Sequence, residues 1–363
     1  MIGPEAPLVD GLADRLRGAG RLVFGPGADG AEVEGSKAFM KQVLHEAGVP
    51  TARYGAFTEI EAALAFLRAL PGPYVVKTSG LAAGKGVLVT TSLIEAEDDV
   101  RAKLSGAAFG DAGRTVVIED FLEGPELSLF AVCDGSRAVA MAPARDFKRV
   151  GDGDAGPNTG GMGAYTPVAG LDQGLVEEVL DTMVLPTLSA LRARGVDYRG
   201  MLYAGLVLTA EGVRMLEYNI RFGDPEAQVV LPRTTSDLAA LLAEAAAGEL
   251  RSTPTFSEDA LVNVVCATEG YPDAPRVGDP IEGLPAARAT KGVEVFCAGV
   301  ARADTSEEGA GSLVTAGGRV LSVVGRGSNL AEARARAYAG VAQIHWPGMH
   351  HRGDIAAGAK EET

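Results

Sequence analysis

Cysteine is scarce: the 363-residue chain has three, Cys133, Cys266 and Cys297, each in an apolar run. Thiols in such settings read as reduced and buried rather than as a disulfide framework, and they point to a cytoplasmic protein. Histidine is thin too, with four in the chain. His345, His350 and His351 gather near the end, but no Cys, Asp or Glu stands at ligand spacing before Asp354, which argues against zinc. His45 is isolated on a helical pattern and reads as solvated. Positive charge is outnumbered: 33 Lys and Arg against 48 Asp and Glu give a net charge of -15. That disfavours a nonspecific grip on nucleic acid or an anionic membrane, but not local binding of anionic ligands. No apolar run approaches the roughly 18 residues of a spanning helix, and no basic-then-apolar stretch opens the sequence, so neither membrane nor export is expected. There is no long internal repeat.

What the chain has is apolar mass. Hydrophobic residues make up 47%, enough for a sizeable core, and the length suits two or three domains of roughly 100–200 residues each. Residues 1–8 look like the end of a strand running into a loop. A helix is expected over 9–19 and a short strand over 21–24, ending at a Gly/Pro break. That is half of an α/β unit, too small to bury a core alone, and further N-terminal residues are expected to belong to it. Ser36 caps a helix over 36–47. A second helix over 58–70 takes Thr58 as its cap and Glu61 as the capping-box partner. Strands over 74–77 and 87–90 flank a Gly-rich loop. A helix follows over 93–104, then strands over 114–121 and 126–133. A strand is expected over 138–144, a 13-residue loop with six glycines over 151–163, and a long helix over 175–194. Strands 201–209 and 213–221 make a hairpin about 210–212, and an Ala-rich helix spans 236–249. Past a linker at 251–257 come short strands over 260–267, 293–300, 312–315 and 319–325 and a helix over 330–344, a separate, mainly β module.

One stretch organises the rest: VRMLEYNIRFGDPE, residues 213–226. Side chains alternate along a strand, so Glu217, Asn219 and Arg221 face one side and Tyr218, Ile220 and Phe222 the other. A carboxylate and an amide oxygen are hard ligands that suit Mg²⁺ beside waters and phosphates. A guanidinium fork suits a carboxylate or a phosphoryl group. An ion pair at a sheet edge is the plainer alternative. In VVKTSGLAAGKGVLV, residues 75–89, a strand ends in Lys77, and Gly80, Gly84 and Gly86 surround Lys85. Glycines let backbone N–H groups close over phosphate oxygens, and lysines neutralise charge. It is not a P-loop, because no Ser or Thr follows Lys85 and a strand comes next. A flap over a nucleotide and an ordinary long hairpin both fit. The strand residues Glu119, Asp120, Phe121 and Leu122 offer backbone groups to an adenine edge and an apolar wall to its face, and Glu126 can accept from ribose hydroxyls. Strands ending in acids are also commonly just solvated. The loop VGDGDAGPNTGGMGAY, residues 150–165, with Asp146, Lys148, Arg149, Asp152 and Asn158 in or beside it, is long enough for substrate contact or for disorder.

Gly35-Ser36-Lys37, the 77–87 loop, residues 119–122, PNTGGMGAY and residues 216–226 occur in the order and spacing of the ATP-grasp superfamily. Within it, from Met1 to about Ile355, the chain resembles the phosphoribosylamine–glycine ligase (glycinamide ribonucleotide synthetase) family of purine biosynthesis. GPEAPLV, GLAAGKGV, GPNTGGMGAY and RFGDPE carry the resemblance. It implies an α/β fold with an α+β ATP-grasp core: a remnant N-terminal α/β domain over 1–34, a large subdomain over 35–56 and 122–252, a small lid subdomain over 57–121, a mainly β C-terminal domain over 255–356 and a flexible tail over 357–363. It implies an ATP-dependent carbon–nitrogen ligase that activates glycine as glycyl phosphate and passes it to 5-phosphoribosylamine. Such an enzyme works as a monomer on small molecules with Mg²⁺ (or Mn²⁺), without nucleic acid or membrane.

By the same resemblance, Lys37 and Lys77 reach ATP phosphates, and Gly84, Lys85 and Gly86 form the phosphate flap. Glu119, Asp120, Phe121 and Leu122 match the adenine hinge, Glu126 the ribose acid, and Glu217 and Asn219 the metal ligands. Arg221, with Lys85, matches the catalytic positions at the carboxylate or acyl phosphate. Glu5, Asp146, Asn158, Gly160, Gly161, Arg221 and Asp224 fall in regions that contact glycine or phosphoribosylamine. The pattern departs from the family at its start, where a strand and a Gly-rich turn that helps hold the ribose phosphate precede GPEAP. It departs again at Thr78-Ser79 and at Arg145-Asp146-Phe147. The alternatives are an ATP–Mg-binding protein of this fold without ligase activity, and another ATP-grasp carboxylate–amine ligase.

Overall fold

A computed structural model describes residues 3–82, 86–171, 173–303 and 312–359. The chain divides into two compact units. One comprises Met1–Met141, Asp172–Phe222 and Asp237–Pro254; the other comprises Ala142–Leu171, Gly223–Ser236 and Thr255–Thr363. The second unit gathers residues 142–171 and 223–236, which the sequence places in the 122–252 subdomain, with the C-terminal strands.

The first unit holds two antiparallel sheets. The smaller has the order Tyr54–Phe57, Val116–Asp120, Tyr74–Thr78, Val87–Thr90. Helices Ile60–Arg68 and Leu93–Leu104 pack against it, and Leu64, Leu67, Val76, Val100 and Ile118 form its core. Ser92 caps the second helix by accepting the Glu95 N–H. The first begins after Glu59, which gives no side-chain cap, so Thr58 is not the cap its sequence suggests. The other sheet has the order Gly212–Asn219, Arg199–Thr209, Glu126–Asp134, Ala138–Ala140. The hairpin about 210–212 is present, with Thr209 opposite Gly212. Val116–Asp120 and Glu126–Asp134 are neighbours in sequence but lie in different sheets, so residues 121–125 carry the chain from one sheet to the other.

Other expectations fail in this unit. The helix over 9–19 is two short helices, Glu5–Val9 and Leu12–Gly18, and residues 5–8 are helical rather than the end of a strand. Gly11 separates the helices at φ +76°, a conformation glycine adopts without steric cost. Residues 21–24 join no sheet among the described residues, and Leu22 is exposed. The helix over 175–194 is interrupted: Gln173–Val179 and Leu185–Ala193 are joined by a π turn, Leu180–Val184. Pro186 has no N–H to give the preceding turn, and a π turn absorbs the lost bond.

The second unit is built on a five-stranded antiparallel sheet ordered Val293–Cys297, Arg319–Gly327, Ala260–Ala267, Gly163–Thr166, Arg145–Asp146. All of Ala260–Ala267 is buried, as a central strand covered on both faces must be. Helix Leu330–Val341, capped by Asn329, packs on the sheet, and Val262, Val264, Val323, Ala337 and Trp346 lie in the shared core. Residues 151–163 are not one structureless loop: Arg149–Gly151 and Ala155–Asn158 pair as a short hairpin. Among the described residues no helix is long and apolar enough to cross a membrane.

Candidate functional site

Strand Gly212–Asn219 lies beside Arg199–Thr209, and on its other side the Met215 N–H donates to Pro50 O at 2.7 Å. The alternation read from the sequence holds beyond the last ladder residue. Tyr218, Ile220 and Phe222 are buried, whereas Glu217, Asn219 and Arg221 are half-buried on the opposite side. Glu34, from helix Ala28–Gly35, fixes this exit. Its Oε2 accepts the Ile220 N–H at 2.9 Å, and its Oε1 accepts from Arg221 Nη2 at 2.8 Å. Arg221 Nη2 also donates to Asn219 Oδ1 at 3.1 Å, and Arg221 Nε lies 3.7 Å from Glu5 Oε2. Burial pushes the Glu34 carboxyl above its ordinary value; Arg221 and the Ile220 N–H pull it back, and Glu5 and Glu217 add like charge. Glu34 and Glu5 flank one guanidinium, and Glu217 adds like charge to Glu34, so the group is formally net negative.

Glu217 and Asn219 present oxygen donors from one side of the strand, two residues apart. Among the described residues no three His, Cys, Asp or Glu side chains come together as a metal site. A cation that keeps waters and takes phosphate oxygens from its substrate needs few protein ligands. The donor set therefore fits Mg²⁺ and not a closed protein cage.

A second charge group is fully buried. Lys41, Lys77 and Glu119 expose 0%, 4% and 1% of their surface. Glu119 Oε2 accepts from Lys77 Nζ at 3.0 Å and lies 3.3 Å from Lys41 Nζ. Lys41 Nζ donates to Thr51 Oγ1 at 2.7 Å, and the Thr51 hydroxyl donates to Met215 O at 2.6 Å, on the same strand as Glu217. Burial pushes the Glu119 carboxyl up, but the Lys77 and Lys41 ammoniums outweigh it and hold it below the usual carboxylate range. Burial pushes Lys41 down to about 8 against the pull of Glu119. Glu119 Oε1 has no hydrogen-bond partner among the described residues. Two ammoniums share one carboxylate, leaving a net +1 that is poorly solvated. An excess charge is costly in such a place; Glu217 offsets part of it, and a phosphate chain would compensate the rest.

Glu119 lies inside a sheet. Val116–Asp120 is flanked on both sides, by Tyr54–Phe57 and Tyr74–Thr78. The Glu119 backbone belongs to the sheet, and its carboxylate meets Lys77 and Lys41. Asp120 pairs at the surface with Arg53 at 3.1 Å, and Phe121 and Leu122 follow the strand end, with Phe121 exposed. Glu126 is half-buried at the start of its strand. Lys37 opens helix Lys37–Glu46, where Ser36 Oγ accepts the Phe39 N–H. The Lys37 N–H donates to Ser79 O at 2.9 Å and the Ala38 N–H to Ser79 Oγ at 3.1 Å, so the base of the Gly-rich loop is tied to this helix start. Gly86 O accepts the Thr78 N–H at 2.9 Å. Gly84 and Lys85 lie outside the described residues.

In the second unit, Asp146 stands opposite Ala164 and Asn158 opposite Arg149. Residues 158–163 run beside 147–149: the Thr159 N–H donates to Lys148 O and the Met162 N–H to Phe147 O, each at 2.7 Å. Gly160, Gly161 and Asp224 come together around Arg319. Sequence reasoning missed Lys41, Glu34 and Arg319. The only signal for Lys41 was its four-residue spacing from Lys37, which puts both on one helix side; Glu34 and Arg319 gave none.

A phosphoribosylamine–glycine ligase of Streptomyces coelicolor is 51% identical over 364 residues, covering 99% of this chain and 83% of the relative. The chain belongs to this ligase family. Residues 35–227 match the family model described as phosphoribosylglycinamide synthetase, ATP-grasp (A) domain, and residues 261–358 match that of the C domain. The crystal structure of a phosphoribosylamine–glycine ligase from Thermotoga maritima superimposes with a TM-score of 0.82 at 38% identity, over 92% of this chain and 82% of the other. The biotin carboxylase domain of 2-oxoglutarate carboxylase from Hydrogenobacter thermophilus, in complex with MgADP, superimposes with a TM-score of 0.71 at 19% identity, over 93% of this chain and 72% of that one. That last likeness concerns the fold alone. The fold is α/β, of the ATP-grasp kind.

Proposed function

We propose that this chain joins glycine to 5-phosphoribosylamine at the expense of ATP, giving glycinamide ribonucleotide, ADP and phosphate in purine biosynthesis. The observation that carries the reading is the pairing of two unlike charge groups within one unit, a buried net-positive one and a half-buried net-negative one, linked through Thr51.

Carboxylate is a poor electrophile and must be activated before an amine can attack it. A glycine carboxylate oxygen attacks the γ-phosphorus of ATP, and ADP leaves. The amine then attacks the carbonyl carbon of glycyl phosphate, phosphate leaves and the amine gives up a proton. Each step needs positioning and charge neutralisation rather than a covalent enzyme intermediate. Lys77, with Lys41 and Glu119 behind it, faces the phosphates, and Lys37 reaches them from its helix start. Arg221, held by Glu34, orients the carboxylate and the acyl phosphate. Glu217 and Asn219 would hold Mg²⁺ or Mn²⁺. When bound, the cation offsets the charge on the phosphate oxygens. Asp120, Phe121, Leu122 and Glu126 take the nucleoside, and Glu119 acts through its carboxylate. Gly84, Lys85 and Gly86 form the flap that keeps water from glycyl phosphate. Glu5, Asp146, Asn158, Gly160, Gly161 and Asp224 contact glycine and the amine. The protein works as a cytoplasmic monomer.

The test is ADP release with ATP, Mg²⁺ and glycine, with and without phosphoribosylamine generated in the assay. Amine-dependent ADP matched by glycinamide ribonucleotide is expected. Nucleotide binding without amine-dependent turnover would overturn the ligase reading and leave an ATP-binding protein of this fold.

A further inference from the structure

Three side chains of the second unit engage the 158–163 loop and the 223–226 turn, and none has a role in the reaction above. Arg319 opens strand Arg319–Gly327, and its Nη1 donates to Gly160 O at 2.7 Å, Asp224 O at 2.8 Å and, more weakly, Gly161 O at 3.3 Å. Its Nη2 lies 3.4 Å from Asp224 Oδ2. The Tyr271 hydroxyl accepts the Gly160 N–H at 3.0 Å. Asn263, on the buried strand Ala260–Ala267, donates from Nδ2 to Pro225 O at 3.0 Å.

The glycines of TGGMG fit this clamp closely. At Gly161, φ +108°, an added Cβ would lie 2.3 Å from Pro225 Cδ; at Gly160 it would lie 2.9 Å from Arg319 Cζ. A proline ring cannot yield to a contact that short, and the φ of Gly161 is one that side-chain-bearing residues rarely adopt, so Gly161 must be glycine for the loop to sit against the turn; at Gly160 a side chain would displace the Arg319 guanidinium from its carbonyl acceptors. The guanidinium holds Nη1 on three backbone carbonyls and Nη2 beside the Asp224 carboxylate in one plane, a two-nitrogen spread that the single ammonium of a lysine does not reproduce.

We infer that Arg319 is a positioning residue: from the C-terminal sheet it locks the 158–163 loop to the 223–226 turn and so sets the backbone that glycine and phosphoribosylamine meet. This rests on the proposed assignment of Gly160, Gly161 and Asp224 to those substrates. It gives the C-terminal sheet a part in amine-substrate recognition without touching the reacting atoms.

The test compares Arg319→Ala, Arg319→Lys and Tyr271→Phe with the wild type by amide hydrogen exchange and by KM for each substrate. In Arg319→Ala, exchange in a peptide covering 155–165 is expected to rise about tenfold or more, the loss of charge-assisted hydrogen bonds of this kind. Peptides from the 54–120 sheet stay unchanged. The KM for phosphoribosylamine or glycine rises about 10- to 100-fold while that for ATP stays within about twofold. Arg319→Lys keeps the charge but is expected to recover little. Tyr271→Phe, which removes only the acceptor of the Gly160 N–H, gives the same pattern in smaller measure and reads the clamp even if Arg319→Ala does not fold. Wild-type exchange and kinetics in the variants would overturn the inference. So would uniform acceleration of exchange with equal losses for all three substrates, the mark of a merely structural residue. If the wild type shows no amine-dependent turnover, the ligase reading fails, while the exchange measurement still decides whether Arg319 locks the loop.

Discussion

The two charge groups of the first unit solve opposite problems. Lys41, Lys77 and Glu119 are sealed from solvent, with one carboxylate shared between two ammoniums. Glu217, Asn219 and Arg221 stay half-open, with Glu34 and Glu5 around the guanidinium. The sealed group holds a standing positive charge at a cost in desolvation that a bound anion relieves. The open group keeps its donors reachable by a cation and a small substrate. On the proposed function, burial separates a group that meets phosphate from one that handles the exchange. The first should dominate stability and nucleotide affinity, and the second should dominate turnover.

The sharpest break of that contrast is Glu119→Ala. It leaves two buried ammoniums without their carboxylate and should cost about 3–5 kcal/mol of unfolding free energy in denaturant titrations. A loss below about 1 kcal/mol would mean that the cluster rearranges freely. Next is Arg221→Ala, expected to lower kcat about 10²- to 10³-fold while the thermal midpoint hardly moves; wild-type turnover in the purified variant would defeat the assignment.

Glu34→Gln sharpens the comparison, because it keeps an acceptor for the Ile220 N–H and removes the charge that holds Arg221. The Glu34 carboxyl is raised above 4.5 by burial, so above 4.5 the folded state holds a proton more firmly than the unfolded state. Stability therefore falls as pH rises through that window, and the ionised group is a burden at neutral pH. Glu34→Gln should be no less stable than wild type, yet about tenfold slower, as the loss of one charge-assisted hydrogen bond allows. A matched drop in stability and rate would place Glu34 in the scaffold alone.

Lys41 offers a pH test of smaller size. Its proton leaves near pH 8 instead of 10.5, which takes the buried cluster from net positive to neutral. MgATP affinity should weaken above about pH 8, by at most about tenfold per pH unit for a single proton. Between about 8 and 10.5 the unfolded chain holds a proton that the folded chain has lost, so this group's contribution to stability rises with pH in that window. Lys41→Met should abolish both trends. An unchanged pH profile in that variant would assign the trends to another group.

Local periodicity made the half-open group legible and left the sealed one half-hidden. Period two along a strand places Glu217, Asn219 and Arg221 on one side, and the Ser36 cap and the hairpin about 210–212 follow from equally local rules. Glu34 meets Ile220 across 186 positions and Arg319 meets Gly160 across 159, distances over which single-sequence patterning carries no information. Lys41 lies on the expected helix, but its burial depends on Glu119 and Thr51 arriving from elsewhere. For Glu119 the sequence offers backbone groups to an adenine or a solvated acid, and neither reading contains the buried carboxylate, whose partners Lys41 and Lys77 come from two other elements. The broken helix after residue 179 shows a local rule outweighed by another: helical apolar spacing continues through Pro186, but the missing N–H forces a π turn.

The most direct test of the division of labour is equilibrium MgATP titration of Arg221→Ala beside Lys77→Ala. Arg221→Ala should bind MgATP within about threefold of wild type, and Lys77→Ala should bind at least about tenfold more weakly, the range for loss of a charged hydrogen bond. If Arg221→Ala loses as much nucleotide affinity as Lys77→Ala, or Lys77→Ala binds like wild type, the sealed and open groups do not divide the work in this way.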